Sequence, residues 1–455
     1  MPMPKWLDKL VAVDQLEVEQ KIEIKQTNEL SWDELGISDS GILSVIKEEL
    51  KFEKPTKIQV LAIPEILRGT NVFCAAQTGT GKTLAYLLPL LDILKEQERK
   101  PLFKRRGQRS RSILLVPTRE LVEQALRVIS KFLKLENFKH WRVYGMAGGL
   151  TTPNREDASI NPGLDILIST PEKLELHYEK KHISFDDTIM LVIDEADTIV
   201  NNELFFKQMK RIVDHLLLTK RDDVSIARNH SHQILWVSAT VSKPIAEFIH
   251  NEFPETLQVF TDDVHKCAEN VDQNFVFGVG ENWKNEKLLK TLKKHKGERT
   301  LIFCNQAETA KSVHKLLLKK GYSVGVMVGG VNYNKREKHF AKFNDGDLRI
   351  LISTDLASRG IDTNVMVEHV VLYDFPNTVI NYLHRIGRTG RAGAKGRVTA
   401  FVGTHDQAFA KRIRDSLNED KSLESIVTTM PKIIKKKKSQ KQPIHPKYLN
   451  TKPKQ

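Results

Sequence analysis

Short apolar runs alternate with amphipathic helical stretches along most of the chain. In the first half, five apolar runs have the length and composition of buried strands, at residues 71–76, 112–117, 164–170, 189–194 and 233–240. Because strands that alternate with helices pair in parallel and are covered on both faces, this pattern predicts an α/β fold. The alternation weakens in residues 261–272, where polar and charged side chains dominate.

The same alternation begins again after this interruption, with apolar runs at residues 300–305, 322–328, 348–354, 368–374 and 397–403. We therefore predict two α/β domains of similar size. The predicted divisions are a polar lead-in at residues 1–30, a first domain at 31–261, a linker at 262–272, a second domain at 273–430 and a basic disordered tail at 431–455.

Composition agrees with two large domains and disfavours some classes of protein. A chain of 455 residues with 40% hydrophobic residues can build large cores. No apolar run is long enough to cross a bilayer, so we expect no membrane association. The three cysteines, Cys74, Cys267 and Cys304, lack the spacing of metal ligands or of a disulfide framework, which indicates a reducing compartment.

The net charge of +14 is concentrated in two segments. Residues 99–112 carry seven basic side chains and no acids, and residues 432–455 carry nine lysines and no acids. The rest of the chain is near neutral. Basic runs of this kind either keep a loop or tail solvated or bind phosphate backbones.

A glycine-containing string at residues 76–83 reads A-Q-T-G-T-G-K-T and precedes a helical stretch at residues 84–95. A strand that passes through glycines into a helix directs N–H groups and the positive helix end toward one point, which makes an anion site. Lys82 and Thr83 have the side chains that a triphosphate and Mg²⁺ require. Ala76 stands where the general phosphate-loop pattern has glycine, and the alternative is a glycine-rich turn without a ligand.

An acidic string ends the apolar run at residues 189–194, where Asp194, Glu195, Ala196 and Asp197 read D-E-A-D. A carboxylate at the C-terminal end of a parallel strand lies at the edge where α/β sheets bind ligands. There Asp194 is placed to hold Mg²⁺, and Glu195 to orient and deprotonate an attacking water. The alternative is an acidic helix N-terminus that stabilises its own dipole.

A basic string in the second half, residues 384–391, reads H-R-I-G-R-T-G-R. Arginines that stabilise the charge on a γ-phosphate must come from a surface that closes over the phosphate loop. We interpret this string as such a surface. Its alternative is a solvated surface, or a nest for any anion.

In order and spacing, these strings resemble the DEAD-box RNA helicases of superfamily 2, over nearly all of residues 31–416. The resemblance implies two tandem RecA-like parallel-sheet domains joined by a short linker, with ATP and Mg²⁺ as cofactors. It assigns catalysis to Lys82, Glu195, Arg388 and Arg391, and the metal to Thr83 and Asp194. It assigns stacking on adenine to Trp32, where Phe is usual, and reading of the adenine edge to Gln59 in the string P-T-K-I-Q at residues 55–59. The other expected nucleotide contacts are Thr78, Gly79, Thr80, Gly81, Lys82, Thr83 and Asp362.

Other strings resemble the family's RNA-contacting motifs, among them P-T-R-E-L at residues 117–121. The residues expected at RNA are Pro117, Thr118, Arg119, Gly149, Thr170, Pro171, Arg336 and Thr354. Those expected to couple the ATP site to RNA are Asp197, Ser238, Thr240 and His384. This chain departs from the family at Glu172 and Lys173, which replace Gly and Arg, at Tyr333, which replaces Gln, and at Val328, which replaces His. We expect weaker RNA contacts there.

The resemblance implies an enzyme, an RNA-dependent ATPase that closes on RNA and unwinds short duplexes or remodels ribonucleoprotein. The two basic segments are then expected to add nonspecific affinity for RNA. One alternative is a nucleotide-gated RNA clamp that acts as an assembly scaffold with little unwinding. Another, a P-loop small-molecule kinase or a DNA helicase, conflicts with the motifs of the second domain.

A finer resemblance links D-E-A-D-T at residues 194–198, and the runs 265–267 and 74–91, to metazoan mitochondrial DEAD-box helicases that assist assembly of the large mitoribosomal subunit. It implies a role in ribosome biogenesis, a mitochondrial location, rRNA or other structured RNA as partner, an assembly particle, and a monomer. The acidic N-terminal residues do not read as an Arg-rich presequence, so a nucleolar or cytoplasmic location is the alternative.

Overall fold

The computed structural model describes residues 30–101, 103–150, 160, 162–219, 232–262, 264, 270–280, 282–355, 365–391, 394–419 and 423. The lead-in up to residue 29 and the tail at 431–455 lie outside these residues, as does most of the linker. Among the described helices, none is long and apolar enough to cross a membrane.

The first domain contains a parallel sheet of seven strands in the part of the chain that the structure describes. The strands are β1 (Val72–Ala75), β2 (Ser110–Leu115), β3 (Val143–Met146), β4 (Leu164–Ser169), β5 (Met190–Ile193), β6 (Gln233–Ser238) and β7 (Leu257–Phe260). Their order across the sheet is β3-β4-β2-β5-β6-β1-β7. The five predicted strands of this half are confirmed, whereas the sequence pattern missed β3 and β7, which lie at the two edges.

Helices cover both faces of this sheet. They are α1 (Ser40–Ser44), α2 (Lys57–Leu67), α3 (Lys82–Glu98), α4 (Arg119–Phe132), α5 (Pro171–Glu179), α6 (Ala196–Asn201), α7 (Glu203–Leu218) and α8 (Lys243–Glu252), with short 3₁₀ or π turns at Trp32–Leu35, Val45–Glu49 and Glu136–Phe138. Helices α1–α4 contribute to one buried apolar cluster and α5–α8 to another. The burial of two apolar layers against one sheet is the main stabilisation of such a domain.

The second domain repeats this architecture with a sheet of six described strands, all parallel, in the order β10-β11-β9-β12-β13-β8. The strands are β8 (Val271–Phe277), β9 (Thr300–Phe303), β10 (Val324–Met327), β11 (Ile350–Ser353), β12 (His369–Leu372) and β13 (Gly396–Val402). The helices are α9 (Trp283–Lys294), α10 (Ala307–Lys319), α11 (Tyr333–Asp345), α12 (Val379–Ile386) and α13 (Gln407–Asn418), with a 3₁₀ turn at Thr404–Asp406.

The five strands predicted for this half are confirmed, but β8 was missed. Its sequence, V-D-Q-N-F-V-F, is only partly apolar because β8 is an edge strand with half-exposed side chains. It begins at Val271, inside the segment predicted as linker. Cys74 in β1 and Cys304 after β9 are buried, and burial raises the pKa of the Cys74 thiol to about 12.

Parallel strands place all of their carboxyl ends at one edge of each sheet. In the first domain, the loops after β1, β2, β4, β5 and β6 therefore meet at a common edge. These loops contain the strings that the sequence singled out. The fold thus brings together residues that are far apart in the chain, as in other open α/β sheets.

Candidate nucleotide and RNA site

The phosphate loop follows β1 at the carboxyl edge of the first sheet. Gly79 and Gly81 have φ values of 85° and 87°, in the left-handed region that favours glycine. A Cβ on Gly81 would also lie 2.5 Å from Nε2 of Gln59, so a larger residue does not fit there. Helix α3 begins at Lys82, directly after Gly81. Its first N–H groups and its positive end therefore face the loop, as an anion site requires.

Lys82 lies between the loop and the acidic string. Its Nζ donates to the carbonyl oxygens of Ala76 and Gln77, the latter at 2.8 Å. Burial lowers the pKa of Lys82, while the carboxylates of Glu195 and Asp194 act in the opposite direction. The structure thus places an ammonium group where phosphate oxygens would meet the helix N-terminus.

Gln59 joins the phosphate loop to the start of α2. Its Oε1 accepts from the backbone N–H of Thr56 at 2.7 Å, and its Nε2 donates to the carbonyl of Gly81 at 3.1 Å. The Thr56 hydroxyl donates to the carbonyl of Thr80 at 2.7 Å. The predicted adenine-reading residue is therefore fixed to the loop that holds the phosphates. Sequence reasoning gave Thr56 no role of its own, although it lies in the same string as Gln59, P-T-K-I-Q at residues 55–59.

Trp32 occupies a different environment from the one expected of an adenine-stacking ring. It is 1% exposed, packs in the core, and donates its indole N–H to the carbonyl of Phe52 at 2.9 Å. Phe52 is 46% exposed and lies seven residues before Gln59. The burial of Trp32 therefore counts against its predicted contact with adenine, and Phe52 is the aromatic ring that this segment presents to the surface.

Asp194 directly follows β5 and is connected to the start of α3. The Tyr86 hydroxyl donates to its Oδ2 at 2.9 Å, and the backbone N–H of Glu195 donates to its Oδ1 at 2.8 Å. Tyr86 also contacts the Thr83 side chain through a hydrogen bond. Burial, followed by the nearby Glu195 carboxylate, raises the pKa of Asp194 to about 6. The two residues predicted to hold the metal, Thr83 and Asp194, are thus brought together through Tyr86, which sequence reasoning missed.

A network of buried side chains joins the two domains. His384 of α12 lies with Nε2 3.2 Å from Oδ2 of Asp197 and with Nδ1 3.4 Å from Oε2 of Glu195. The Thr240 hydroxyl donates to the same Asp197 oxygen. Arg388, 8% exposed, donates its Nε to the carbonyl of His384 at 3.1 Å. One ring nitrogen of His384 faces each carboxylate, so this histidine joins the acidic string to the basic string, and its coupling role stays a prediction.

The second contact between the domains lies at the phosphate loop itself. The Thr78 hydroxyl donates to the carbonyl of Gly387 at 3.4 Å, and Arg391 donates its Nε to the same carbonyl at 3.0 Å. A Cβ on Gly79 would lie 3.6 Å from Cγ of Arg391. Arg391 is therefore adjacent to the loop, where an arginine finger must be. Asp362, expected at the nucleotide, lies outside the described residues.

Most of the residues predicted to contact RNA lie at the same carboxyl edges. Thr118 is the N-cap of α4 and accepts from the backbone N–H of Leu121 at 3.3 Å. The other residues of this group follow β2, β3, β4 or β11 directly or by a few residues, and they are Pro117, Gly149, Thr170, Pro171 and Thr354. Ser238, which was predicted to couple the ATP site to RNA, ends β6 at the same edge and donates to the carbonyl of Thr240 at 2.7 Å.

The two arginines predicted at RNA contact other protein groups in this structure. Arg119 donates to Glu123 at 3.0 Å, and its guanidinium carbon lies 3.1 Å from the ring centroid of Tyr333. Arg336 donates to Glu120 at 2.7 Å. Because Tyr333 and Arg336 belong to the second domain, both contacts cross the cleft. Sequence reasoning missed these acidic partners, although Glu120 belongs to the P-T-R-E-L string.

Much of the positive charge of the basic segment at residues 99–112 is paired with acids, contrary to the expectation of a free basic loop. Five of its arginines form ion pairs with acids elsewhere in the first domain: Arg99 with Asp39, Arg105 with Glu98 and Asp165, Arg106 with Asp187, Arg109 with Asp186 and Asp187, and Arg111 with Asp165. Asp165 is fully buried and Arg111 is 5% exposed. For Arg105 and Arg111, the prediction of an RNA-binding loop is therefore wrong, because these side chains neutralise a buried acid.

With this geometry established, comparison with known proteins defines the class. The family model for DEAD/DEAH box helicases matches residues 56–248, and that for the helicase conserved C-terminal domain matches residues 283–393. DEAD-box ATP-dependent RNA helicase 39 of Arabidopsis thaliana is 34% identical over 402 residues, which cover 88% of this chain and 63% of that protein. ATP-dependent RNA helicase DBP2 of Encephalitozoon cuniculi is 31% identical over 389 residues, which cover 85% of this chain and 74% of that protein.

The chain therefore belongs to the DEAD-box ATP-dependent RNA helicases, a family of enzymes. It spans less than two thirds of the length of the Arabidopsis relative. Among solved structures, a variant of S. cerevisiae Dbp5 bound to RNA and ADP BeF3 is 25% identical, has a TM-score of 0.72, and covers 85% of this chain and 93% of that chain. The prediction of two tandem RecA-like domains is confirmed.

Proposed function

We propose that this protein is an RNA-dependent ATPase whose two domains close on ATP and RNA, and that closure unwinds short RNA duplexes or remodels ribonucleoprotein. The observation that carries the proposal is the buried contact of His384 with Glu195 and Asp197. The groups that phosphoryl transfer needs are divided between two domains, so hydrolysis requires that they meet.

The residues at the carboxyl edge of the first domain fit a magnesium ion. Thr83 and Asp194 offer the hard oxygen ligands that Mg²⁺ prefers, and Tyr86 holds them near one another. Desolvation in this partly buried position raises the pKa of the Asp194 carboxyl, and a cation would stabilise its charged form. Thr83 and Asp194 would hold the metal, and when bound it neutralises charge on the phosphate oxygens.

The protein's own groups then divide the work of hydrolysis. Lys82 and the N–H groups at the start of α3 bind the phosphates. Glu195 orients the attacking water and takes its proton. Arg388 and Arg391 stabilise the charge that spreads over the transferred phosphoryl group, and they do so only from the closed arrangement.

Closure over a single RNA strand explains how ATP use is linked to unwinding. The RNA-facing loops of both domains lie at the carboxyl edges, so closure forms one continuous surface for the sugar–phosphate backbone. A strand held in a bent form by both domains does not fit a duplex, so its partner strand is released. The solved Dbp5 variant was bound to RNA, which supports RNA as the partner of this chain.

The test is the ATPase rate of the full chain with RNA, with DNA of the same sequence and without nucleic acid. We expect stimulation by RNA alone, and we expect Lys82→Ala to abolish it because the phosphates lose their ammonium partner. Lys139→Ala, at an exposed position of the same domain outside both basic segments, is the matched control and should keep the wild-type rate. Equal stimulation by DNA, or none by RNA, would contradict the proposal. Duplex unwinding measured in parallel separates a helicase from an RNA clamp.

For the cellular role, we propose ribosome assembly in mitochondria, with rRNA or another structured RNA as the partner. The resemblance of D-E-A-D-T at residues 194–198 and of the runs 74–91 and 265–267 supports it. Imaging of the full-length protein tests the compartment, and exclusion from mitochondria would favour the nucleolus or cytoplasm. Crosslinking in cells followed by sequencing of the bound RNA identifies the partner.

A further inference from the structure

Two helix N-termini face each other across the cleft, on the side where RNA is expected. The facing side chains are Arg119, Glu120 and Glu123 of α4 in the first domain, and Tyr333 and Arg336 of α11 in the second. We call these five residues the interdomain clasp. The spacings on each helix, three or four residues apart, place the side chains on one face. The clasp is therefore formed by complementary faces of two rigid elements.

Tyr333 makes the central contacts of the clasp. Its hydroxyl donates to Oε1 of Glu123, the same oxygen that accepts from Nε of Arg119 at 3.0 Å. The Arg119 guanidinium carbon lies 3.1 Å from the centroid of the Tyr333 ring, which is a cation–π geometry. The Arg336 guanidinium carbon lies 5.5 Å from the same ring, and Arg336 donates to Glu120 at 2.7 Å. One aromatic side chain thus connects both arginines with Glu123, and it also contacts Glu337 of its own helix through a hydrogen bond.

The clasp is balanced in charge and largely withdrawn from water. It contains two arginines and two glutamates, and these four side chains are between 15% and 18% exposed. Charge-assisted hydrogen bonds at such partly buried positions are stronger than those of exposed ion pairs. The contacts of Tyr333 and Arg336 with α4 form only when the domains approach, so their free energy contributes to the closed arrangement.

We propose that Tyr333 is a positioning residue that favours domain closure through the interdomain clasp, so that less RNA is needed to close the enzyme. The inference rests on the proposed function, because closure on RNA is the event that the clasp assists. Tyr333 stands where the family pattern has glutamine. A glutamine can donate one hydrogen bond to Glu123, but it has no ring for Arg119. The substitution therefore makes closure in this chain less dependent on RNA.

The experiment measures closure directly in the full chain, by energy transfer between dyes on the two domains. RNA is titrated in the presence of a nonhydrolysable ATP analogue, and ATPase rates are measured in parallel with ATP. The variants are Tyr333→Phe, which keeps the ring, Tyr333→Gln, which has the family's residue, and Tyr333→Ala. Tyr333 lies outside the buried clusters of the second domain, so these changes leave the core intact.

Phe277→Ala is the matched control. It removes an exposed aromatic ring that contacts Arg414 at 5.7 Å, a cation–π contact contained within the second domain. This control should close like wild type. Tyr333→Ala should raise the RNA concentration for half-maximal closure about tenfold, because it loses a charge-assisted hydrogen bond and a cation–π contact. Tyr333→Phe and Tyr333→Gln should need RNA concentrations for half-maximal closure between those of wild type and Tyr333→Ala. All three variants should keep the wild-type kcat at saturating RNA.

If Tyr333→Ala needs the same RNA concentration for half-maximal closure as wild type, the proposed role of the interdomain clasp is contradicted. A fall in kcat at saturating RNA without a change in the RNA requirement would also contradict it, since that would place Tyr333 in the chemistry. A wild-type protein that does not close with RNA and the analogue would instead overturn the proposed function. The two failures are therefore distinguishable.

Discussion

At the scale of single residues, Asp194 links the metal site to pH. Burial and the neighbouring Glu195 raise the pKa of Asp194 to about 6, whereas the Tyr86 hydrogen bond favours its charged form. Mg²⁺ requires the carboxylate. Metal binding should therefore weaken as the pH falls toward and below about 6, and strengthen again above it.

Tyr86→Phe tests this dependence. Loss of the hydroxyl removes a donor to the Asp194 carboxylate, so the pKa of Asp194 should rise further. We expect the variant to need severalfold more Mg²⁺ than wild type for half-maximal ATPase at pH 6.5, with a smaller difference at pH 8. Tyr373→Phe, which removes a hydroxyl donor to Asn285 in the second domain, is the control. The same Mg²⁺ requirement at both pH values in Tyr86→Phe and wild type would contradict the prediction.

Lys82 and Glu195 lie at the carboxyl edge of the first sheet, where the sequence predicts them because their chemistry requires particular residue types at the ends of strands, and their catalytic roles stay predictions. The sequence predicts less well where a residue type suits two roles. Trp32 fits a stacking ring and a core residue equally, and only the packing shows that it is buried. The first-domain partners of Tyr333, Glu123 and Arg119, are more than two hundred residues away in the chain, and no local pattern indicates them.

At the scale of elements, the segment that leads into β2 stabilises the first domain through ion pairs. Arg105 and Arg111 both pair with Asp165, a fully buried acid of β4. The sequence shows a basic run because its acidic partners lie elsewhere in the chain. The edge strands β3, β7 and β8 were missed for a related reason, since partial exposure weakens their apolar pattern.

Arg111→Ala should destabilise the first domain by about 2 kcal/mol or more, because Asp165 keeps one arginine in place of two. Arg99→Ala is the matched control in the same segment. Its side chain is 59% exposed and lies 3.8 Å from Asp39, so its loss should change stability by less than about 0.5 kcal/mol. Unfolding in urea measures the free energy of unfolding of both variants. Wild-type stability together with weakened RNA binding in Arg111→Ala would restore the RNA-binding interpretation of this segment.

At the scale of the whole molecule, Gly387 shows how closely the two domains meet. A Cβ on this residue would overlap the Thr78 hydroxyl of the phosphate loop. Its backbone φ of −64° suits any residue, so alanine should disturb the contact and not the fold. The requirement for glycine at position 387 therefore comes from the close approach of the first domain.

Gly387→Ala should therefore bind nucleotide normally but lose at least about tenfold in RNA-stimulated ATPase, since the arginine fingers no longer reach the phosphate loop. Gly403→Ala is the control, because its Cβ would make an ordinary 3.4 Å contact with Asp406. Nucleotide affinity is measured with a fluorescent ATP analogue, and the rate by phosphate release. A Gly387→Ala enzyme with the wild-type rate would show that this contact is not needed for catalysis.

The tail at residues 431–455 concerns the RNA affinity of the whole molecule, and its role stays a prediction. Nine lysines without an acid should add nonspecific affinity, so its deletion should weaken RNA binding and flatten the salt dependence while the basal ATPase is kept. Unchanged RNA affinity after deletion would indicate a solvated tail.

The central claim is that ATP hydrolysis requires the meeting of the acidic string and the basic string across the cleft. Energy transfer between dyes on the two domains, recorded alongside phosphate release in one reaction, tests it most directly. The account predicts that ATP and RNA together give a larger closed fraction than either alone, and that the rate of hydrolysis follows that fraction. RNA-stimulated hydrolysis at an unchanged distance between the domains would contradict it.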